Sequence, residues 1–415
     1  MSAQERGGVS GTPMRRGVAA VLIAGALAGA CSSAERREHA LGRRAIERAA
    51  LLEDQAERTS ALAEAETHLA AACAAGSDSE VALDLARCRL VKGSLDPADE
   101  AFAQFVARAQ EQVDAYEVVI EAYLLTRHPE RARAWHTKAA ARHPDARRLR
   151  VLLGDIERAQ LRADEAVAAY TRALDGATDT ERAEVHTKVA RAHLERVMGA
   201  VARAMEAPDP TGKPPAQRAA ELAAADAGLL EVELALRRAL YAAPAHVEAH
   251  LLLGGLYHQQ GRLNEAVLEY EEALAREPNL AGAHYALGVV RHAGDRLALA
   301  VESYRAAIRL APRLREARLG LGTALLELGQ TASGLDELAS AGLGRGSAGE
   351  LEAFASRLAR KDVVLYALVD ALDGADAPGR TLARDLLTVC RKADLGPEAA
   401  AWRTWLEHRN DPAPK

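Results

Sequence analysis

Residues 247–280 read VEAHLLLGGLYHQQGRLNEAVLEYEEALAREPNL, and residues 281–314 read AGAHYALGVVRHAGDRLALAVESYRAAIRLAPRL. His250, Leu253, Gly254, Ala266, Tyr270, Ala273 and Pro278 of the first stretch recur 34 positions later as His284, Leu287, Gly288, Ala300, Tyr304, Ala307 and Pro312. A period of that length, held over seven positions, describes a unit of two helices and a turn. One such unit leaves an apolar face bare, so the units must stack.

At 100° per residue, repeat positions 4, 7, 8 and 11 (His250, Leu253, Gly254 and Tyr257) share one arc of the first helix, which is its buried stripe. Glycine inside a helix costs about 1 kcal/mol relative to alanine, so Gly254 and Gly288 imply close approach of a neighbouring helix. Ala266 and Ala273 allow the same approach on the second helix, where Tyr270 supplies bulk. Pro278 and Pro312 fall just past the second helix and stop it.

Small and large residues at positions 4, 7, 8, 11, 20, 24, 27 and 32 give this pattern a resemblance to the tetratricopeptide repeat. The resemblance implies an all-α fold, a right-handed α-solenoid of helix-turn-helix repeats. The register extends backwards through Val232, Leu236, Ala239 and Pro244. Leu153, Gly154, Ala166, Tyr170 and Ala173 give a further copy, and Tyr116, Tyr123, Ala132, Ala139 and Pro144 a weaker one. Residues 79–112 fit poorly, mainly through Ala98 and Phe102, while Leu321, Gly322, Gly329 and Ala341 begin a degenerate copy. Arg291 stands where an aromatic residue is usual and Gly334 where alanine is, so their units are expected to pack less tightly. The solenoid is assigned to 45–348.

The phase breaks at an insertion, 196–228, which contains Pro208, Pro210, Pro214 and Pro215. These prolines cannot lie in a helix interior. The expectation is a helix extended to about Glu206, a proline loop, and a new helix from Ala216 towards Leu229. Such a segment is either a tolerated loop insertion or a partner-specific protrusion.

Arg15 and Arg16 precede an uncharged apolar run, Gly17 to Ala30, too short for a permanent membrane span, so 1–30 reads as a signal peptide. Met14 offers an alternative start. The run ends Leu27-Ala28-Gly29-Ala30-Cys31-Ser32, which resembles the lipobox of bacterial lipoproteins, whose cysteine is acylated after cleavage. The resemblance implies lipidation at Cys31. Two departures stand: leucine lies one place further from the cysteine than usual, and Ala28-Gly29-Ala30 also suits an ordinary signal peptidase, which would release a soluble protein. A cysteine at that place favours the lipoprotein, with 31–44 as a short lipidated tether. Ser32 resembles the sorting residue of proteins sent to the outer membrane in cells that have two.

Removing the leader with Glu5, Arg6, Arg15 and Arg16 takes the net charge from −6 to −8. Nucleic acid, which needs a basic surface, is therefore not an expected partner. Arg147, Arg148 and Arg150 read as a solvated helix start. Cys73 and Cys88 are offset by about 10 Å if their helices run antiparallel, too far to bridge. Three buried free thiols, Cys73, Cys88 and Cys390, are expected.

Catalytic and cofactor motifs dissolve on inspection. Gly344-Arg345-Gly346-Ser347-Ala348-Gly349 spells a dinucleotide fingerprint, but a helical stretch precedes it in place of a strand. His246 and His250 are spaced for a shared metal, yet the glutamate is Glu248, and the zinc-protease order fails. No cofactor, metal site or enzyme activity is expected. Positions 2, 5, 9 and 12 form a second arc, which in the tetratricopeptide family lines a concave groove. On it lie Leu251, His258, Tyr285, Val289, His292, Leu319 and Leu326, the expected partner groove. Upstream, Asp114, Glu117, Glu121, Leu124, Arg148, Asp155 and Arg158 occupy it instead. The lysine and asparagine with which some relatives clamp a terminal carboxylate are absent, so the groove suits a hydrophobic peptide or an amphipathic helix. The alternative is that these residues merely meet the superhelix's own next turn or the chain's tail.

Beyond Glu350 the register is lost while the helical pattern continues through Leu351, Phe354, Leu358, Leu365, Leu368, Leu386, Trp402 and Trp405. Residues 349–409 are expected to cap the last unit, and 410–415 to be a disordered tail. The composite expectation is a membrane-anchored scaffold or adaptor lipoprotein that binds proteins in a bacterial envelope. The alternative is a soluble periplasmic enzyme, or an activating subunit of one, with titratable side chains converging within 350–410.

Overall fold

The structure, a computed structural model, describes residues 33–76, 78–205, 215–343, 348–358, 361–374, 377–392 and 394–408. Residues 1–30 and Cys31, the proline segment 206–214, most of the glycine motif at 344–349, and the tail 410–415 lie outside them. Among the described residues every regular element is an α-helix, so the chain is all-α.

The helices are α1 (Ser33–Leu51), α2 (Gln55–Ala75), α3 (Ser79–Lys92), α4 (Leu95–Arg108), α5 (Val113–Leu125), α6 (Pro129–Arg142), α7 (Arg147–Ala159), α8 (Ala163–Ala173), α9 (Asp179–Met205) and α10 (Pro215–Ala242). They continue with α11 (Val247–Gln259), α12 (Leu263–Arg276), α13 (Ala281–Ala293), α14 (Leu297–Leu310), α15 (Arg315–Glu327) and α16 (Thr331–Ser340). The last four are α17 (Ala348–Leu358), α18 (Asp362–Gly374), α19 (Ala377–Arg391) and α20 (Ala399–His408). They form two compact units, one of 1–181 with 188–228, the other of 182–187 with 229–415. Each is an α-solenoid stack of helix pairs.

In the first unit α3, α5 and α7 begin 34 residues apart, as do α4, α6 and α8; in the second, α11, α13 and α15 keep the same spacing. The period therefore includes 79–112, where the sequence fits poorly. Its signature is blurred because no proline ends α4. Gln110 (φ 56°) and Glu111 (φ 53°) turn the chain through left-handed conformations instead. Asp99 on α4 accepts from Tyr123 Oη at 2.6 Å and Trp135 Nε1 at 2.7 Å, and pairs with Arg131. One carboxylate thus ties α4 to α5 and α6. Burial raises its pKa, but these donors outweigh burial and hold it below the ordinary carboxylate value.

The glycines meet tyrosine rings. A Cβ on Gly254 would stand 3.0 Å from Tyr270 Cε1, and one on Gly288 would stand 2.7 Å from Tyr304 Cδ1. Gly154 is covered in the same way by Tyr170. Position 8 must lack a side chain because the ring at position 24 uses its space.

Four expectations need correction. Residues 33–44, assigned to a tether, are helical: Glu35 is buried against Gly76, and His39 and Arg43 both bond Asp84, at 2.8 and 2.6 Å. The helix after the insertion does not stop near Leu229 but runs unbroken to Ala242, because nothing between Leu229 and Val232 breaks it. Gly334 tightens its unit: its Cβ would stand 3.0 Å from the Gly322 carbonyl oxygen, and Gly322's 2.9 Å from that of Gly334. Arg291 is also well packed, donating to Ser303 Oγ at 2.8 Å and pairing with Glu271 at 2.6 Å. Lastly, Cys73 and Cys88 are buried free thiols, whereas Cys390 is only half-buried. Burial pushes the Cys88 thiol up to about 12.

The C-terminal helices share one core, built on Phe354, Leu365, Leu368, Leu386 and Trp402. Trp402 donates from Nε1 to the Gly396 carbonyl at 2.9 Å and meets Trp405 edge-on, with centroids 5.8 Å apart.

Candidate functional site

A cleft of about 440 Å³ lies in the second unit, between the first helices of two successive repeats and the C-terminal segment. Tyr285, Val289 and His292 of α13 form one wall, Glu316, Leu319, Gly320, Thr323 and Glu327 of α15 the floor, and Phe354, Leu358 and Lys361 the other wall. Successive first helices bring the same arc of each repeat side by side, so residues 34 apart become neighbours.

Four of the seven expected groove residues, Tyr285, Val289, His292 and Leu319, line this cleft. Leu251 and His258 lie on α11, half-buried, and do not border it. Leu326 does not face a groove at all. It is 0% exposed, packed in the core with Leu335, Leu338 and Leu365. Position 12 of the last repeat is covered because the C-terminal helices pack on that end.

Tyr304 stands beneath the cleft, its ring 6.1 Å from Tyr285 and 6.3 Å from His292 between centroids. Burial, with Tyr285 and Glu327 nearby, pushes its hydroxyl pKa well up, so it remains a neutral group. At the deep end Glu327 pairs with His292 Nε2 at 2.9 Å and with Lys361 Nζ at 2.5 Å. Burial raises the Glu327 pKa, but these bonds outweigh it and hold it below the ordinary value. At the other end Glu316 is exposed, and no hydrogen bond or ion pair reaches it among the described residues. The cleft is an apolar trough with a satisfied ion cluster at one end and an open carboxylate at the other.

Glu316 and Thr323 occupy positions 2 and 9 of the same arc, beyond the seven residues expected on it. Glu327, at position 13, and Phe354, Leu358 and Lys361 carried no repeat signal. Only a tertiary fold brings 354–361 beside α15.

The upstream arc differs. In the first unit Arg148 pairs with Glu121 at 3.0 Å, Lys188 with Asp155 at 2.9 Å and Arg158 with Glu195 at 2.9 Å. Its charges answer one another between successive helices. His250 is likewise committed: Nδ1 meets Glu269 at 2.7 Å and Nε2 meets the Pro244 carbonyl at 3.0 Å. His284 repeats the second bond to Pro278 at 2.9 Å. Position 4 thus closes the turn between repeats. Among the described residues no three His, Cys, Asp or Glu side chains are grouped to hold a metal ion.

Residues 126–181 match a tetratricopeptide-repeat profile, and 254–295 and 281–314 match two further profiles of the same repeat. The chain carries tetratricopeptide repeats. The matched segments coincide with α6 to α8 and α11 to α14, where glycine meets tyrosine. No curated protein sequence matches the chain. Several solved tetratricopeptide structures resemble parts of it. A thermophilic repeat protein of Thermus thermophilus is 17% identical, covering 52% of this chain and 100% of its own, with a TM-score of 0.38. MamA of Desulfovibrio magneticus is 14% identical over 48% and 93%, with a TM-score of 0.37. YrrB, described as a tetratricopeptide protein with an unusual peptide-binding site, is 18% identical over 52% and 95%, with a TM-score of 0.34.

Proposed function

We propose that this tetratricopeptide protein is a scaffold that seizes an amphipathic helix of a partner protein in the cleft between α13, α15 and α17. The observation that carries this reading is the chemistry of the cleft. Tyr285, Val289, Leu319 and Phe354 line it with apolar side chains, Thr323 adds a hydroxyl to the floor, and the charged groups stand towards its ends. An apolar trough bounded this way suits a helix with residues at i, i+3, i+4 and i+7 on one face. The floor helix, 13 residues long, spans about 20 Å, which sets the occupant at three to four turns. Glu316, exposed at one end, selects a lysine or arginine on that end of the partner.

The scaffold is exported and held to a bacterial membrane by acyl chains on Cys31, facing the periplasm from the outer membrane where two membranes exist. The support is the leader and its cysteine. Acyl chains contribute about 0.8 kcal/mol per buried methylene, so several anchor a chain without a spanning helix. Among the described residues no helix is long and apolar enough to cross a membrane. Envelope assemblies such as a pilus, secretion, outer-membrane or cell-wall machinery are the class of partner.

The binding test uses labelled synthetic helices with an apolar i, i+3, i+7 stripe and a basic end, titrated against the chain and against Leu319→Glu. Saturable binding lost in the variant supports the cleft. Equal binding by both proteins removes it.

A further inference from the structure

We infer that the outward face of α1, which carries Arg36, Arg37 and Arg44, lies against the anionic headgroups of a phospholipid membrane; the inference rests on the acylated Cys31 proposed above. The charges of α1 are sorted by direction. Those turned towards α2 and α3 are answered: Glu38 meets His68 Nδ1 at 2.6 Å, His39 meets Asp84 at 2.8 Å, and Arg43 meets Asp84 at 2.6 Å and Glu80 at 3.6 Å. Arg36, Arg37 and Arg44 are exposed, and no hydrogen bond or ion pair reaches them among the described residues. At 100° per residue they fall at about 0°, 100° and 80°, on one arc about 12 Å long. The last turns of α2 end beside Glu35, and residues 69–76 there read LAAACAAG, with no acid to neutralise the arginines. Glu47, three residues past Arg44, is exposed on the same face, and Arg48 pairs with Glu64, so the basic stretch ends at Arg44.

Position and charge together choose the occupant. Ser33 begins α1 two residues after Cys31, a span of at most about 7 Å. Acyl chains inserted from Cys31 therefore hold the first turns of α1 near the headgroups, whose field reaches about 8 Å at physiological salt. From Cys31 onwards the net charge, −6 less the leader's +2, is −8, which an anionic membrane repels. A basic face beside the anchor reverses that repulsion locally. Each arginine brought to such a surface strengthens attachment about fivefold. A basic patch is also the second signal that makes an acyl anchor durable.

The test uses the chain from Cys31 to Lys415, which contains every described residue, with Cys31→Ser so that no acyl chain contributes. It is titrated at low salt with vesicles of phosphatidylcholine alone and with vesicles of phosphatidylcholine and phosphatidylglycerol in equal parts, and binding is read by flotation. The expected result is binding to the anionic vesicles alone, weakened at least about tenfold by Arg36→Glu, Arg37→Glu and Arg44→Glu together. The same reversal of charge at Arg305, Arg309 and Arg313, in and just after α14, leaves binding in place. All six side chains are exposed, so both triple variants keep their helical content and unfolding midpoint. A chain that ignores the anionic vesicles overturns the inference, as does equal binding to both kinds of vesicle or equal weakening by the two triple variants. The anchor is tested apart, by the mass of the N-terminal peptide of protein extracted from the membranes of the cell that makes it. Acylated Cys31 without vesicle binding keeps the anchor and removes the patch; vesicle binding with Cys31 unmodified does the reverse.

Discussion

The ring of Tyr304 lies so close to Gly288 that a Cβ there would stand 2.7 Å from its Cδ1. Gly320 presses on the same ring from the next repeat, its Cβ position 2.7 Å from Cζ. One aromatic side chain is therefore held between glycines of α13 and α15, and the floor of the cleft rests on it. The close fit of that ring is what fixes the spacing of the two helices.

Alanine at these glycines should separate two opposing effects. Helix propensity favours alanine by about 1 kcal/mol, whereas forcing atoms into a filled core costs about 1–3 kcal/mol. Gly288→Ala and Gly154→Ala should therefore lower stability by about 1 kcal/mol or more, while Gly254→Ala, with 3.0 Å of room, should lose less. Gly255→Ala, whose Cβ would sit 3.6 Å from Tyr270 Oη, should gain up to about 1 kcal/mol. Urea denaturation of the four variants gives the order directly.

Two histidines should respond to pH in opposite directions. The Glu269 hydrogen bond, opposed by burial, raises His250 above its ordinary 6.5. Its contribution is complete below 6.5 and is lost as pH rises through the raised value. His136, donating to the Leu149 carbonyl at 2.9 Å, is lowered by burial. Its neutral form is the one that fits, so its contribution is present above 6.5 and lost as pH falls. His250→Gln should thus cost more stability at about pH 5.5 than at about pH 8.5, and His136→Gln the reverse. Thermal unfolding at the two pH values checks both signs.

Glu327 links the cleft wall to the C-terminal segment through His292 and Lys361. Replacing it with glutamine leaves a half-buried cluster short of its charge, a loss of about 1–3 kcal/mol. Hydrogen exchange should accelerate across 348–374 and stay unchanged in α3 to α8. Uniform acceleration through the chain would argue against a local latch.

Much of this was legible in the sequence, for reasons the side chains explain. In the glycine–tyrosine pairs at 154/170, 254/270 and 288/304 the ring stands where a side chain on the glycine would go, so these are positions that recur. Where another residue does the same work the signal fades: Gln110 and Glu111 turn the chain without proline, and Gly334 closes on Gly322 instead of presenting alanine. Arc positions identified one wall and part of the floor of the cleft. The opposite wall was not legible, since Phe354 and Leu358 belong to a helix outside the register and Lys361 to the segment that follows it. For the same reason Leu326 was misplaced, its burial depending on helices that no repeat rule positions.

The most direct measurement of the central claim is photo-crosslinking in the native cell from a probe residue at Val289, with the crosslinked sites mapped by mass spectrometry. The account predicts adducts on one face of a partner's amphipathic helix, near a basic residue, and their loss in Leu319→Glu protein that remains folded. Adducts confined to this chain's own residues 348–374, unchanged by Leu319→Glu, would contradict it.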